Sequence, residues 1–300
     1  MVIVPPTRGL PVGRNKRAAD RRFAGRIDMR RLRRWLSAEG LRPVLEPIYR
    51  LYERSLLRQV QAYPVPRHIG LILDGNRRFG RRNNVTDLHE VYMAGADKLD
   101  DLLGWCAALG IPAITLWVLS TSNLRRGPEE VTGILSAVEK KLERLATDSQ
   151  IHRECVRVRA VGRLELLPPS TRAAVRKAEA ATKSYNGMQL TVAAAYGGRE
   201  EIVDAVRMLL RAELAQDKSL KDVIETVTPE AIARSLYAPD LPDPDLIIRT
   251  SGEIRLSGFL LWQSAFSEFY FTDVFWPSFR RIDFLRAVRA FQQRQRRFGR

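Results

Sequence analysis

Asp74 closes the apolar run Ile69-Gly70-Leu71-Ile72-Leu73, and Gly75, Asn76, Arg77, Arg78 and Phe79 follow without a break. A buried strand of this kind delivers a carboxylate to its C-terminal edge, where a tight glycine turn leaves backbone N–H groups free to face a phosphate. A carboxylate able to hold Mg²⁺ and arginines able to grip phosphate oxygens together suit a magnesium diphosphate. The plainer reading of Asp74-Gly75 is an acid that caps the following helix; the flanking arginines weigh against it. A second cluster runs Arg249-Thr250-Ser251-Gly252-Glu253-Ile254-Arg255-Leu256-Ser257. Its two arginines, set among Ser, Thr and Gly between apolar runs, fit an anion site better than a solvated ion-pair face. A third cluster, Ser120-Thr121-Ser122-Asn123-Leu124-Arg125-Arg126, follows an apolar strand and by itself reads as a loop leading into a helix.

Strand-like runs at 68–73, 113–119, 155–161, 188–195 and 245–249 are available to position these clusters. Helix-like segments lie between them. Leu99, Leu102, Leu103, Cys106 and Leu109 share a face over 94–109, as do Ile202, Val203, Val206, Leu209, Leu210 and Leu214 over 200–214. Short apolar strands alternating with amphipathic helices predict an α/β fold, a single domain with a mostly parallel central sheet flanked by helices. That domain spans 64–300. Residues 1–27 form a basic extension rich in Pro, Gly and Arg and are expected to be disordered.

A basic amphipathic helical segment over 28–63 separates the two. Pro43 and Pro47 interrupt it, with a second helix beginning near them and 46–60 expected to pack on the domain. Residues 29–41, with Arg30, Arg31, Arg33 and Arg34 beside Leu32, Trp35 and Leu36, also suit an anionic membrane surface, which would make the protein peripheral at the inner face of the plasma membrane.

Three hundred residues, 45% of them apolar, suffice for a substantial core. No apolar run approaches the ~18 residues of a membrane span, and no signal-peptide pattern opens the chain. Cys106 and Cys155 lack metal spacing and read as buried free thiols in a reducing compartment, so a cytoplasmic location is expected. Of the net charge of +16, +10 lies in residues 1–60, which hold 15 Lys and Arg against 5 Asp and Glu. Such a charge makes nucleic acid a rival partner, but no nucleic-acid module accompanies it and none is expected to bind.

The stretch His68–Gly80 resembles the signature H-I-A-x-I-M-D-G-N-x-R-W-A of the cis-prenyltransferases, the undecaprenyl diphosphate synthase family. Arg249–Gln263 resembles that family's R-T-S-G-E-x-R-x-S-N-F-L-L-W-Q, and Ser267–Phe271 and Trp276-Pro277 continue the likeness. Two long motifs in the family's order, about 175 residues apart, are a specific signal, and the likeness covers roughly 64–300.

The resemblance implies condensation of isopentenyl diphosphate with an allylic diphosphate (dimethylallyl, geranyl or farnesyl), dependent on Mg²⁺, with a new cis double bond and release of pyrophosphate. It makes Asp74 the catalytic carboxylate and a Mg²⁺ ligand, with Glu268 a second metal carboxylate. It assigns Gly75, Asn76, Arg77, Arg78 and Phe79 to the allylic diphosphate, and Arg249, Arg255 and Ser257 to the isopentenyl diphosphate. Ser120, Asn123 and Arg126, matching F-S-x-E-N-W-x-R, become phosphate-side residues, with Asn123 catalytic. Arg297 and Gly299 match the R-x-G tail that reaches the isopentenyl site across a dimer interface, which implies a homodimer.

Departures from the family pattern are specific. Ser122 stands for Glu, Leu124 for Trp and Phe79 for Trp. Tyr92 falls at a position usually held by His, Asp87 and Leu88 occupy the neighbourhood of an absent Arg, and His89 is an offset candidate for the missing imidazole. Val118 stands where long-chain members tend to carry Ala. A branched side chain there narrows the tunnel, and the block Ser257–Ser264 resembles actinobacterial members making Z-farnesyl diphosphate, so a short product is expected. The alternatives are a long-chain synthase making decaprenyl or undecaprenyl diphosphate, a non-catalytic partner subunit, and a basic nucleic-acid- or membrane-binding protein. The intact Asp74 and Arg249/Arg255 argue against the partner subunit. No G-x-x-x-x-G-K-[ST] is present, and Asp97-Lys98-Leu99-Asp100-Asp101 does not supply the paired aspartate-rich motifs of trans-prenyltransferases.

Overall fold

The computed structural model describes residues 42–216 and 218–294, without the side chains of 42–46. The expectations for 1–27 and 29–41, and for Arg297 and Gly299, fall outside these residues. The chain divides into units Met1–Arg50 and Leu51–Arg300, and the second carries the sheet.

Six strands, β1 (His68–Ile72), β2 (Ala113–Trp117), β3 (Arg157–Val161), β4 (Gln189–Ala193), β5 (Leu246–Arg249) and β6 (Glu268–Phe271), pair in the order β3-β4-β2-β1-β5-β6. Every pairing is parallel. The strands of the sheet's centre are buried on both faces, which is why they read in sequence as continuous apolar runs without alternation. The register aligns their ends: Ile72 pairs with Trp117 and Arg249, Trp117 with Ala193, and Arg249 with Phe271. One sheet edge therefore carries the C-termini of β1, β2 and β5, and the three clusters begin there.

Among the described residues the helices are α1 (Arg42–Gln61), α2 (Asn76–Arg82), α3 (Leu88–Leu109), α4 (Pro128–Leu145), α5 (Ser149–Arg153), α6 (Pro169–Thr182), α7 (Gly198–Leu214), α8 (Leu220–Thr226), α9 (Pro229–Arg234) and α10 (Arg281–Gln293). Helix α3 starts where Asp87 accepts from the His89 N–H and stops at Gly110, whose φ of 69° only glycine adopts freely. Of the predicted stripe, Leu99, Leu102, Leu103 and Cys106 are buried and Leu109 is half-buried. The predicted apolar set over 200–214 is less deeply covered, since Val203 and Leu214 are exposed.

The core holds Ile69 and Leu71 of β1, Ile114 and Leu116 of β2, and Phe284, Leu285, Val288 and Phe291 of α10. Leu56 and Val60 of α1 join it. Helix α1 begins beside Pro43, as expected, but continues through Pro47, so only Pro43 acts as a boundary. Cys106 is buried and Cys155 only half-buried, both as free thiols. Among the described residues no helix is long and apolar enough to cross a membrane.

Candidate active site

Asp74 follows β1 by two residues, and its peptide is held on both sides. Its N–H donates to Thr250 Oγ1 at 3.0 Å, and its carbonyl accepts from that hydroxyl at 2.6 Å and from the Trp276 N–H at 3.1 Å. Gly75 then turns left-handed at φ 102°, and a Cβ there would lie 2.8 Å from Phe275 Cδ1 and 2.9 Å from Ser251 Cβ. Both the dihedral and the space demand glycine. No side chain caps α2, so Asp74 is not the helix cap of the plainer reading, and the opening N–H groups of the helix are left for a ligand.

Arg249, the last residue of β5, sets a guanidinium only 5% exposed against Asp74. Its Nη2 donates to Asp74 Oδ2 at 2.9 Å, and its Nη1 donates to Ser257 Oγ at 2.8 Å and to the Arg255 carbonyl. Arg78 faces the other carboxylate oxygen, with Nη2 3.6 Å from Asp74 Oδ1. It also donates to Ser251 Oγ at 2.6 Å, lies 3.2 Å from Glu253 Oε1, and covers the Phe275 ring. Ser251 and Ser257 both adopt positive φ, 79° and 54°. That conformation costs ~1–3 kcal/mol at a residue with a side chain and collects at functional sites. Here it aims the two hydroxyls at Arg78 and Arg249.

Burial alone would raise the Asp74 pKa. The hydrogen bond and positive charge of Arg249, helped by Ser251 and the Gly75 N–H, more than offset it and hold the carboxyl below the usual range. Asp74 is therefore an anion at neutral pH, with a 31% exposed side chain open to the cleft.

The opposite wall starts after β2. Ser120 and Asn123 close a reciprocal cap on the 3₁₀ turn Thr121–Arg125: the Asn123 N–H donates to Ser120 Oγ at 3.0 Å, and the Ser120 N–H donates to Asn123 Oδ1 at 2.9 Å. Glu130, in the first turn of α4, accepts from Arg126 at 2.6 Å, from Arg77 at 3.3 Å and from the Tyr92 hydroxyl at 2.9 Å. Burial and then Glu130 push the Tyr92 hydroxyl pKa well up, so tyrosine is a fixed donor here. Tyr92, at the family's His position, thus holds an acid that no motif singled out. Sequence reasoning missed Glu130; the helix-start pattern Gly127-Pro128-Glu129-Glu130 places it in a first turn and says nothing of its partners.

Asp74, Gly75, Asn76, Arg77, Arg78, Ser120, Asn123, Arg126, Arg249, Arg255 and Ser257 all line one cleft of about 590 Å³. Phe79 does not line it. His89 does not enter it either: its ring nitrogen Nε2 lies 2.9 Å from Lys140 Nζ beside a separate surface hollow, because α3 turns that side chain toward α4's exposed face. Glu268 opens β6, at the edge of the sheet opposite Asp74, and pairs with Arg294. The two carboxylates assigned to metal are not brought together within one chain. Below the cleft an apolar cavity of about 90 Å³ runs between α3, α4 and the sheet. Leu73, Asn76, Tyr92, Val118 and Ile134 line both spaces, so Val118 stands where a polar chamber meets an apolar one.

A polar cleft with two arginines around a fixed carboxylate, opening into an apolar cavity, is the architecture of a prenyl diphosphate enzyme. Residues 72–299 match the family model described as putative undecaprenyl diphosphate synthase. An isoprenyl transferase of Deinococcus radiodurans is 55% identical over 83% of this chain and 90% of its own length. A tritrans,polycis-undecaprenyl-diphosphate synthase (geranylgeranyl-diphosphate specific) of Methanopyrus kandleri is 51% identical over 87% of this chain and 95% of its own. A (2Z,6E)-farnesyl diphosphate synthase of Thermobifida fusca is 50% identical over 84% and 97%. Among solved structures, lavandulyl diphosphate synthase from Lavandula x intermedia, in complex with dimethylallyl diphosphate, superposes with a TM-score of 0.71 at 32% identity, covering 79% of this chain and 99% of that one. The chain belongs to the undecaprenyl diphosphate synthase family and is a cis-prenyltransferase.

Proposed function

We propose that the protein condenses isopentenyl diphosphate with a short allylic diphosphate to give a short Z-configured prenyl diphosphate, releasing pyrophosphate. The observation that carries this is the junction at Val118, where the arginine-lined cleft opens into a cavity of about 90 Å³. That volume is below the ~150 Å³ apolar cavity that takes up a single benzene, so any tail must part its walls, and a short tail parts them least. Relatives named for a short and for a long product are about equally identical to this chain, and the cavity is what favours the short one.

In this reading Arg77 and Arg78 take the charge of the allylic diphosphate as its C–O bond breaks, with the open N–H groups of α2 beside them. The Arg249–Ser257 loop orients the second substrate so that its alkene meets the allylic carbon. The apolar cavity accepts the tail and excludes water from the cationic carbon.

The donor set suits Mg²⁺. Asp74 is ionised and partly open, and among the described residues no three His, Cys, Asp or Glu side chains form a closed cage, so the ion would complete its shell with diphosphate oxygens and water. When bound, it neutralises the leaving diphosphate. We also infer a homodimer. Glu268 lies away from Asp74, β6 is an edge strand, and Ile254 and Phe266, 78% and 75% exposed, leave apolar surface for a second copy. A cytoplasmic site of action, with peripheral contact through the basic segment 29–41, completes the proposal.

The test is incorporation of labelled isopentenyl diphosphate with Mg²⁺ and, separately, dimethylallyl, geranyl and farnesyl diphosphates, with products sized after dephosphorylation. Short products are expected. Long products would overturn the chain length alone, and no incorporation with any primer would overturn the catalytic reading.

A further inference from the structure

Lys141 is a charged residue in the wall of the apolar cavity, and it is 5% exposed. An ammonium so placed needs a partner. Its Nζ pairs with Asp100 of α3, whose side chain is 37% exposed. One turn further along α4, Arg144 lies 2.5 Å from Asp97 Oδ1 and 3.4 Å from Asp100 Oδ2. Two basic residues of α4 thus lace onto two acids of α3 along one seam. The Arg144 pairs are half-exposed and screened, whereas the Lys141 side chain is only 7% exposed against an Asp100 that is 37% exposed.

The inner side of this seam is the cavity. The Lys141 stem lies in its wall with Leu99 and Leu142, while the ammonium reaches outward to Asp100. Ile134, at the cleft, and Lys141 are seven residues apart on α4, which is about 10 Å at 1.5 Å per residue. A tail growing from the cleft reaches the seam at that depth. With about 90 Å³ available, each further five-carbon unit requires α3 and α4 to part.

We propose that the Lys141–Asp100 pair clamps α3 to α4 and thereby limits the length of the prenyl product. The proposal rests on the prenyl-transfer reading above and adds to Val118 a second, deeper determinant of specificity. Parting the helices separates a nearly buried lysine from the carboxylate that pairs it at the outer edge of the apolar wall, and this is the barrier to elongation.

The test uses the full chain with labelled isopentenyl diphosphate, Mg²⁺ and each of the three primers, products being sized for the wild type and three variants. Lys141→Met keeps the stem and removes the charge, Asp100→Ala removes the partner, and Lys141→Ala removes stem and charge together. All three are expected to shift the main product longer by at least one five-carbon unit. If Asp100→Ala fails to fold, Lys141→Met carries the test, since it buries no charge. Lengthening by Lys141→Ala alone would make the bulk of the stem the determinant and overturn the clamp. Unchanged products from folded variants would overturn it too. Failure of the wild type to incorporate label would overturn the prenyl-transfer reading and the clamp together.

Discussion

Arg249 and Asp74 are 175 positions apart in sequence and 2.9 Å apart in the cleft, joined by a guanidinium that is 5% exposed. The register of β5 on β1, with Ile72 opposite Arg249, makes this contact possible. Asp74 is therefore both the anion of the site and the acceptor for Nη2 of a buried arginine. Asp74→Asn separates these roles, because the amide oxygen can still accept from Arg249 while the charge is gone. Turnover is expected to fall by at least ~10²–10³-fold, as when one preorganised electrostatic group is removed from a site, with the circular dichroism spectrum unchanged. A folded Asp74→Asn enzyme with near-normal kcat would remove the carboxylate from its assigned role. Arg249→Ala should cost about 2 kcal/mol of stability as well, since its hydrogen bonds to a charged group are lost. Denaturant unfolding reads that directly.

Glu130 gathers Arg77, Arg126 and Tyr92 on one side of the cleft. Each guanidinium has five donors and commits few of them to this acid, so the others remain for a diphosphate. Removing the shared anchor should loosen the grip on the allylic substrate. Glu130→Ala is expected to raise the primer KM about tenfold, roughly 1.4 kcal/mol of binding, while the isopentenyl diphosphate KM stays within about twofold. Tyr92→Phe should move the same constant by less. A lower primer KM in Glu130→Ala would mean that the acid competes with the diphosphate for the arginines, reversing its role.

What the sequence revealed and what it hid follow from the range of each interaction. The Ile69–Leu73 run announces a doubly buried strand because such strands show no alternation, and the clusters after β1, β2 and β5 lie together because parallel strands share an edge. The position of Glu268 was not legible, since it depends on the register of β6, only four half-buried residues long. Nor was the burial of Lys141. A lysine in an amphipathic helix reads as solvent-facing until α3 supplies Asp100. His89 shows the same limit: being near the expected imidazole in sequence did not put it on the cleft side of α3. Helix α1 runs through Pro47 because tertiary packing of Leu56 and Val60 further along holds the helix in place.

The lowered pKa of Asp74 carries a pH dependence with a definite sign. In the unfolded chain this aspartate titrates near 3.8, and in the folded chain it titrates below that value. Its pairing with Arg249 therefore stabilises the protein fully above the unfolded value and is lost as pH falls through the folded one. Between pH 5 and 8 this group contributes no slope to stability, and any loss of activity with acid in that range belongs to other groups. Comparing Asp74→Asn with the wild type by urea unfolding at pH 7 and then at successively lower pH isolates the effect. The stability difference should be flat to about pH 5 and shrink below it; a difference that stays flat or grows on further acidification would show that the pKa is not lowered.

Val118 is placed to decide whether the tail can pass from cleft to cavity at all. Its N–H donates to the Ala193 carbonyl at 3.1 Å, so the backbone is held and the side chain can change without moving the strand. Val118→Ala removes two methyl groups from the junction that both chambers share. The main product is expected to lengthen by one five-carbon unit, with a stability loss on the order of 1 kcal/mol from the small cavity. The gain should end where the tail meets Lys141, about two helical turns deeper. Combining Val118→Ala with Lys141→Met should therefore give a longer product than either change alone. A distribution unchanged by Val118→Ala would mean that the wall at this junction does not limit the tail, and chain length would then be set wholly at the α3–α4 seam.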